Sequence, residues 1–179
     1  MSAAAPIAAR QVLRAGHGRA VADRVALDYD GRFLRRKVLT TEAGLRVLVD
    51  LDQTMSLDDG DALLTADGRV IAITAAAEAL TELRGDDLVR LAWHIGNRHT
   101  PCEIDGDVLR IRRDKVMADM LSRLGAALTD VTAPFRPEGG AYGVGRTHGH
   151  SHGEAEGGPH QHSHSHSHDN SAKSHDHGH

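Results

Sequence analysis

The 179-residue chain carries 21 Lys and Arg against 25 Asp and Glu, and fourteen histidines that leave it at −4 when neutral and would carry it to +10 if all were protonated. No apolar run approaches the roughly 18 residues of a membrane-crossing helix, and no basic stripe interleaves with aromatics as a nucleic-acid surface requires. Cys102 is the single cysteine, so no internal disulfide forms, and Met1–Ala20 lacks the pattern of an export signal. A protein of the reducing cytoplasm is expected, with no membrane and no nucleic acid among its partners.

Aromatics make up 3% of the chain, so its cores must rest on Leu, Val, Ile and Ala. The first third reads as strands and turns. Arg35–Leu51, "RRKVLTTEAGLRVLVDL", is a β-rich run, a turn at Glu42–Gly44, and then an alternation through Leu45, Val47, Val49 and Leu51. Ser56–Ile73, "SLDDGDALLTADGRVIAI", repeats the device with turns at Asp59–Gly60 and Asp67–Gly68, the second a strong hairpin signal. This predicts a small β-domain over residues 1–74. Its acids, Asp50, Asp52, Asp58, Asp59 and Asp61, are expected to form turns and solvated faces.

From Ala75 the pattern changes. "EALTELR" suits a strand, and Asp86 is the expected N-cap of a helix whose apolar residues Leu88, Leu91, Ala92 and Ile95 fall on one face. Gly96 is the expected stop. Two short strands around Asp105–Gly106 follow, then a helix striped by Val116, Met117, Met120, Leu121 and Leu124 and ended by Gly125. "ALTDVTAPF" closes the series as a strand. The order β-α-β-β-α-β predicts a ferredoxin-like domain over residues 75–140, making the whole an α+β protein. Residues 141–179 are Gly, Ser, His and acids with almost no apolar content, a tail expected to remain disordered.

Eleven histidines lie in that tail: His148, His150, His152, His160, His162, His164, His166, His168, His175, His177 and His179. Neutral imidazole ligates zinc, copper and nickel, and Asp169 and Asp176 stand ready to join it. A disordered backbone wraps an ion only at an ordering cost, so each site should exchange readily. An unbroken run would suggest a purification tag, but this one is interrupted by Ser, Asp, Gly, Asn, Lys and Gln.

A second signal is "WHIGNRHTP", Trp93–Pro101. His94 falls on the flank of the first helix, and His99 in the loop beyond it. A transition ion needs about four donors, so a lone histidine is insufficient. A two-fold dimer would bring His99 and its mate to one axis. Trp93 projects away from Leu88 and Ile95, where an exposed tryptophan often anchors an interface. Cys102 is a soft ligand or a small half-buried strand residue, and His17 is a further possible donor. There is no activated serine, no paired carboxylate in a pocket and no phosphate loop, so no enzyme reaction is expected.

"GNRHTP" (Gly96–Pro101) together with "DKVMADMLSRLG" (Asp114–Gly125) resembles the UreE-type urease accessory proteins, a family of nickel metallochaperones. "TTEAGLRVLVDL" and "LDDGDAL" are similar to the family's N-terminal domain. The resemblance covers roughly residues 20–138, and it implies a homodimer of two-domain chains. Within it, the N-terminal domain would bind partners and the second would hold the metal on His99. Ni²⁺ is the implied cargo, with Zn²⁺ or Cu²⁺ as alternatives, passed to the urease apoprotein with its accessory GTPase complex. An auxiliary "HDH" site of some members reads here Arg113–Asp114–Lys115, so that site should be absent. A buffer storing nickel or zinc with no client is the alternative, and a plain interaction module regulated by metal is a third reading.

Overall fold

In this computed structural model residues 5–139 are described, and they form two sheets and two helices. The first sheet holds β1 (Ile7–Leu13), β2 (Asp23–Leu27), β3 (Phe33–Thr40), β4 (Arg46–Ser56), β5 (Ala62–Thr65) and β6 (Val70–Ala75), in the order β2-β6-β5-β1-β4-β3. The alternation read from the sequence sets the register of β4: Val47, Val49 and Leu51 point into a core with Leu39, Leu63 and Ile73. Gly44 and Gly68 close the β3–β4 and β5–β6 turns with φ of 85° and 86°, a region that costs glycine little.

Two pairings carry no local sequence signal. β1 runs parallel to β4, with Ile7 opposite Val47, and β2 runs parallel to β6, with Asp23 opposite Ile71. Hairpins advertise themselves through their turns, whereas parallel partners lie far apart in the chain. Two of the turn acids also depart from expectation. Asp61 is buried, accepting hydrogen bonds from Arg14 Nη1 at 2.6 Å, the Ala15 N–H at 2.9 Å and the Asp58 N–H at 2.9 Å. Asp59 is an acceptor for Arg136 Nε and the Ala75 N–H, both at 2.7 Å.

The second sheet is antiparallel throughout: β7 (Ala77–Arg84), β8 (Glu103–Asp105), β9 (Val108–Arg112) and β10 (Ala127–Pro134), in the order β10-β7-β9-β8. Helices α1 (Leu88–Gly96) and α2 (Lys115–Arg123) connect β7 to β8 and β9 to β10. Leu91 and Ile95 of α1 and Met117 and Leu121 of α2 pack on Leu83, Leu109 and Ile111. Val116, expected in the buried stripe of α2, is 78% exposed because it sits in the first turn off the axis of that stripe. The N-cap of α1 is Asp87, whose carboxylate takes the Arg90 N–H at 3.0 Å, not Asp86.

The two domains are joined by polar contacts around one aromatic. Phe135, just past β10, is fully buried and meets Tyr29 edge-on at 5.5 Å. The buried Arg32 donates through Nη2 to the Phe135 carbonyl at 2.5 Å, while its Nε has no hydrogen-bond partner among the described residues. Asp30 pairs with Arg112 at 2.6 Å, and Glu78 accepts from the Tyr29 N–H at 2.9 Å. Burial alone would push the Asp59 carboxyl up. The hydrogen bonds from Arg136 and Ala75 and the charges of Arg136 and Arg32 outweigh it, holding the group below the usual carboxylate range.

Candidate metal-binding site

Helix α1 has two apolar faces. Leu91 and Ile95 are buried against the second sheet, with Leu88 and Ala92 half-buried beside them. On the outward side Val89 and Trp93, one turn apart, remain 83% and 63% exposed. Trp93 therefore stands where its spacing places it, and Val89 joins it. The sequence signal for Val89 was present at i and i+4 but is easily absorbed into the buried stripe. His94 is half-buried, its ring edge-on to Trp93 with centroids 4.9 Å apart.

The end of this helix is where the geometry concentrates. Gly96 does not stop it by turning left-handed, since its φ is not positive. His99 takes that role with a φ of 54°, and it is the non-glycine residue with positive φ among the described residues. Its N–H donates to the Gly96 carbonyl at 2.9 Å and the Thr100 N–H to the Ile95 carbonyl at 3.3 Å, the paired bonds of a Schellman cap. Arg98 Nη1 donates to the His94 carbonyl at 3.2 Å, covering another free acceptor of the last turn. A β-carbon in the left-handed region costs about 1 kcal/mol or more, so glycine is the usual occupant. The cap thus fixes the His99 backbone while its side chain stays exposed.

The loop beyond is tied at its far end too. The Glu138 N–H donates to the Cys102 carbonyl at 2.8 Å, and the buried Glu103 carboxylate accepts from Arg110 at 2.8 Å and from the Arg136 N–H at 2.7 Å. Cys102 is half-buried at the entry to β8. Burial, with the charges of Glu138 and Glu103 adding to it, pushes its thiol up to about 11. A thiol so held is protonated near neutral pH, and an ion would have to displace its proton to bind it. His17 lies in the β1–β2 loop with its Nδ1 accepting the Arg19 N–H at 3.0 Å.

No three His, Cys, Asp or Glu side chains come together to hold an ion among the described residues. His94 and His99 are brought to one helix end, and His17 belongs to the other domain. The eleven tail histidines, His148 through His179, lie outside the described residues. At the position of the "HDH" stretch Asp114 serves as N-cap of α2, accepting the Met117 N–H at 2.8 Å, and Arg113 pairs with Asp130 at 3.3 Å. No helix among the described residues is long and apolar enough to cross a membrane.

Comparison with known proteins agrees with this layout. The profile of the UreE urease accessory protein N-terminal domain matches residues 7–76, and that of the C-terminal domain matches residues 69–179. The urease accessory protein UreE of Ruegeria pomeroyi is 58% identical over 142 residues, 79% of this chain and 95% of the relative. That of Cereibacter sphaeroides is 55% identical over 142 residues, covering 79% of this chain and 78% of its own. That of Rhodobacter capsulatus is 51% identical over 141 residues, 79% and 90% respectively. With both domain profiles matched in order and relatives this close, the chain belongs to the UreE family of urease accessory proteins.

Proposed function

We propose that this chain is a homodimeric nickel metallochaperone in which two copies of His99 share one ion across a two-fold axis. It is an accessory protein of urease and not itself an enzyme. The observation that carries the reading is His99: exposed, yet fixed by a left-handed backbone at the end of a helix whose outer face presents Val89 and Trp93. One imidazole is too few for a transition ion, and a second copy docked on that face would supply another. His94 lies close enough in the chain to contribute a further donor.

The second domain, taken as residues 75–140, is read as ferredoxin-like. Its element order and antiparallel sheet support this. Residues 1–74 form the partner-binding β-domain and 141–179 the collecting tail. In the cytoplasm the tail histidines capture Ni²⁺ and pass it by ligand exchange to the His99 pair. From there it goes to the urease apoprotein in complex with its accessory GTPase. Imidazole must lose its proton to ligate, so tail capture should fall between roughly pH 7 and pH 5.5.

The deciding experiment is nickel calorimetry on a chain ending at Arg146, with sedimentation to count subunits. A single tight ion per dimer is expected, lost in His99→Ala. A monomer with a tight site, or a dimer whose site survives His99→Ala, would overturn the reading. Pull-down of apo-urease with and without nickel separates delivery from storage.

A further inference from the structure

The six-stranded sheet has two edges that are treated differently. Beyond β2, the Glu42 N–H donates to the Arg24 carbonyl at 2.9 Å, so a turn of the chain covers part of that edge. At the other end of the strand order β3 pairs only with β4, and among the described residues no strand lies beyond it, although the turn that follows β3, at Glu42, is the one that reaches β2. An uncovered edge is a template for another strand, and proteins usually shorten or interrupt such edges. β3 is eight residues long and has no proline, and its one irregularity lies between Leu34 and Arg36, which leaves a regular register from Arg36 to Thr40.

The side chains on this edge share one sign. Arg35, Arg36 and Lys37 are consecutive and all exposed, and Arg10 lies nearby on the same sheet. Asp50 is the acid facing them, paired with Arg10 at 3.3 Å and Arg36 at 3.6 Å, one carboxylate against two guanidiniums. Val38 follows at 41% exposure, a large apolar side chain beside the cations. Three adjacent cations repel a second copy of the same edge, which would bring its own three. They attract a strand of opposite charge. An open backbone edge also selects polypeptide over a phosphate or a membrane, because its unpaired N–H and C=O groups are complemented only by another backbone.

We propose that the outer edge of β3 takes an acidic extended segment of a partner protein as an added strand, with Val38 meeting an apolar residue between the acids. This rests on the reading of the N-terminal domain as the partner-binding one and names the surface and the chemistry it recognises. It is independent of His99, which lies in the other domain.

The test uses the full chain and a fluorescent peptide of about ten residues alternating Glu and Val, long enough for one strand. Its matched controls are a Lys–Val peptide and the acidic peptide N-methylated at alternate backbone nitrogens. Anisotropy should show the acidic peptide binding at least about tenfold tighter than the basic one, and weakening as salt rises from about 0.05 to 0.3 M. N-methylation should abolish it. In the Arg35→Glu/Arg36→Glu/Lys37→Glu variant the preference should reverse. Lys37→Glu alone, should the triple variant fail to fold, should lower the acidic peptide's affinity several-fold. Binding that survives N-methylation, or equal binding of the two charges, overturns the proposal and leaves the cations as a guard against self-pairing. Nickel calorimetry on the same variants should be unchanged, so a failed edge and a failed His99 site are told apart.

Discussion

Helices α1 and α2 open alike, each on an aspartate whose carboxylate accepts the amide three residues on, and each spans nine residues. They also close with the same pair of bonds. At α2 the Gly125 N–H donates to the Ser122 carbonyl at 3.0 Å and the Ala126 N–H to Leu121 at 3.1 Å, with Gly125 left-handed at a φ of 92°. At α1 the equivalent position is His99. The chain thus uses the inexpensive residue at one helix end and a strained one at the other. Strain of this kind persists only where surrounding structure imposes it, and it collects at functional sites. The contrast separates a helix end that only terminates from one that presents a side chain.

The largest effect that tests this contrast is loss of the ion proposed to sit on His99. His99→Ala keeps the same backbone penalty, since alanine is no easier in the left-handed region than histidine, and removes only the ring. In the chain ending at Arg146, the tight site should weaken by more than about a hundredfold while the melting temperature hardly moves. A melting temperature that fell by many degrees would show His99 to be structural, and the contrast with Gly125 would dissolve.

Cys102 asks whether α1's end carries its chemistry through His99 alone. With the thiol near 11 in the fold against about 8.5 for a free cysteine, its thiolate fraction near pH 8 is lowered by roughly a hundredfold. Iodoacetamide should therefore label the folded chain far more slowly than the urea-unfolded one. Because the folded value is raised, the stability this burial contributes is complete below about pH 8.5 and is lost as pH rises toward 11. Rapid labelling at pH 8 would show that burial does not hold the thiol protonated, and protection that appears only with nickel would make Cys102 a ligand.

Smaller, and opposite in sign, are the effects of exchanging the caps. Gly125→Ala meets no atom within 4 Å, so its penalty is conformational, about 1–2 kcal/mol. His99→Gly relieves the same term and should stabilise the apo chain by about 1 kcal/mol while deleting the site. Gly96→Ala, in helical backbone with open space around it, should be neutral or slightly stabilising. Urea melts of the three measure this directly, and His99→Gly destabilising the chain would refute the strain.

That series also marks how far the sequence could be read. The periodicity of Leu91 and Ile95, the Asp67–Gly68 and Asp105–Gly106 turns and the β-α-β-β-α-β order are local patterns, and the structure follows them. "GNRHTP" pointed to His99, but glycine's reputation as a terminator pointed to Gly96 for the turn, because which residue turns left-handed depends on how many turns the packed helix completes. The parallel pairings of β1 and β2, the burial of Asp61 and the Arg32–Phe135 joint bring together residues far apart in the chain. Arg32 and Phe135 are 103 positions apart, and nothing near either announces the other.

The smallest effect concerns the shared beginnings of the helices. Asp87 accepts the Arg90 N–H at 3.0 Å and Asp114 accepts the Met117 N–H at 2.8 Å, and both carboxylates are exposed. Replacing either by alanine leaves one amide of the first turn to water and should cost about 1 kcal/mol, the same within error at both sites. Asp87→Ala should not touch the proposed nickel site, because it lies at the end of α1 away from His99. Asp114→Ala should spare it too, although the first turn of α2 meets the His99 loop through Thr100 and Met117 at 3.9 Å, because the Asp114 carboxylate is already engaged by the Met117 N–H. Equal losses would place the difference between α1 and α2 wholly at their C-terminal ends. If Asp114→Ala instead weakened nickel binding with no matching effect from Asp87→Ala, the Arg113–Lys115 stretch would contribute a donor after all. The site would then extend from α1 to the start of α2.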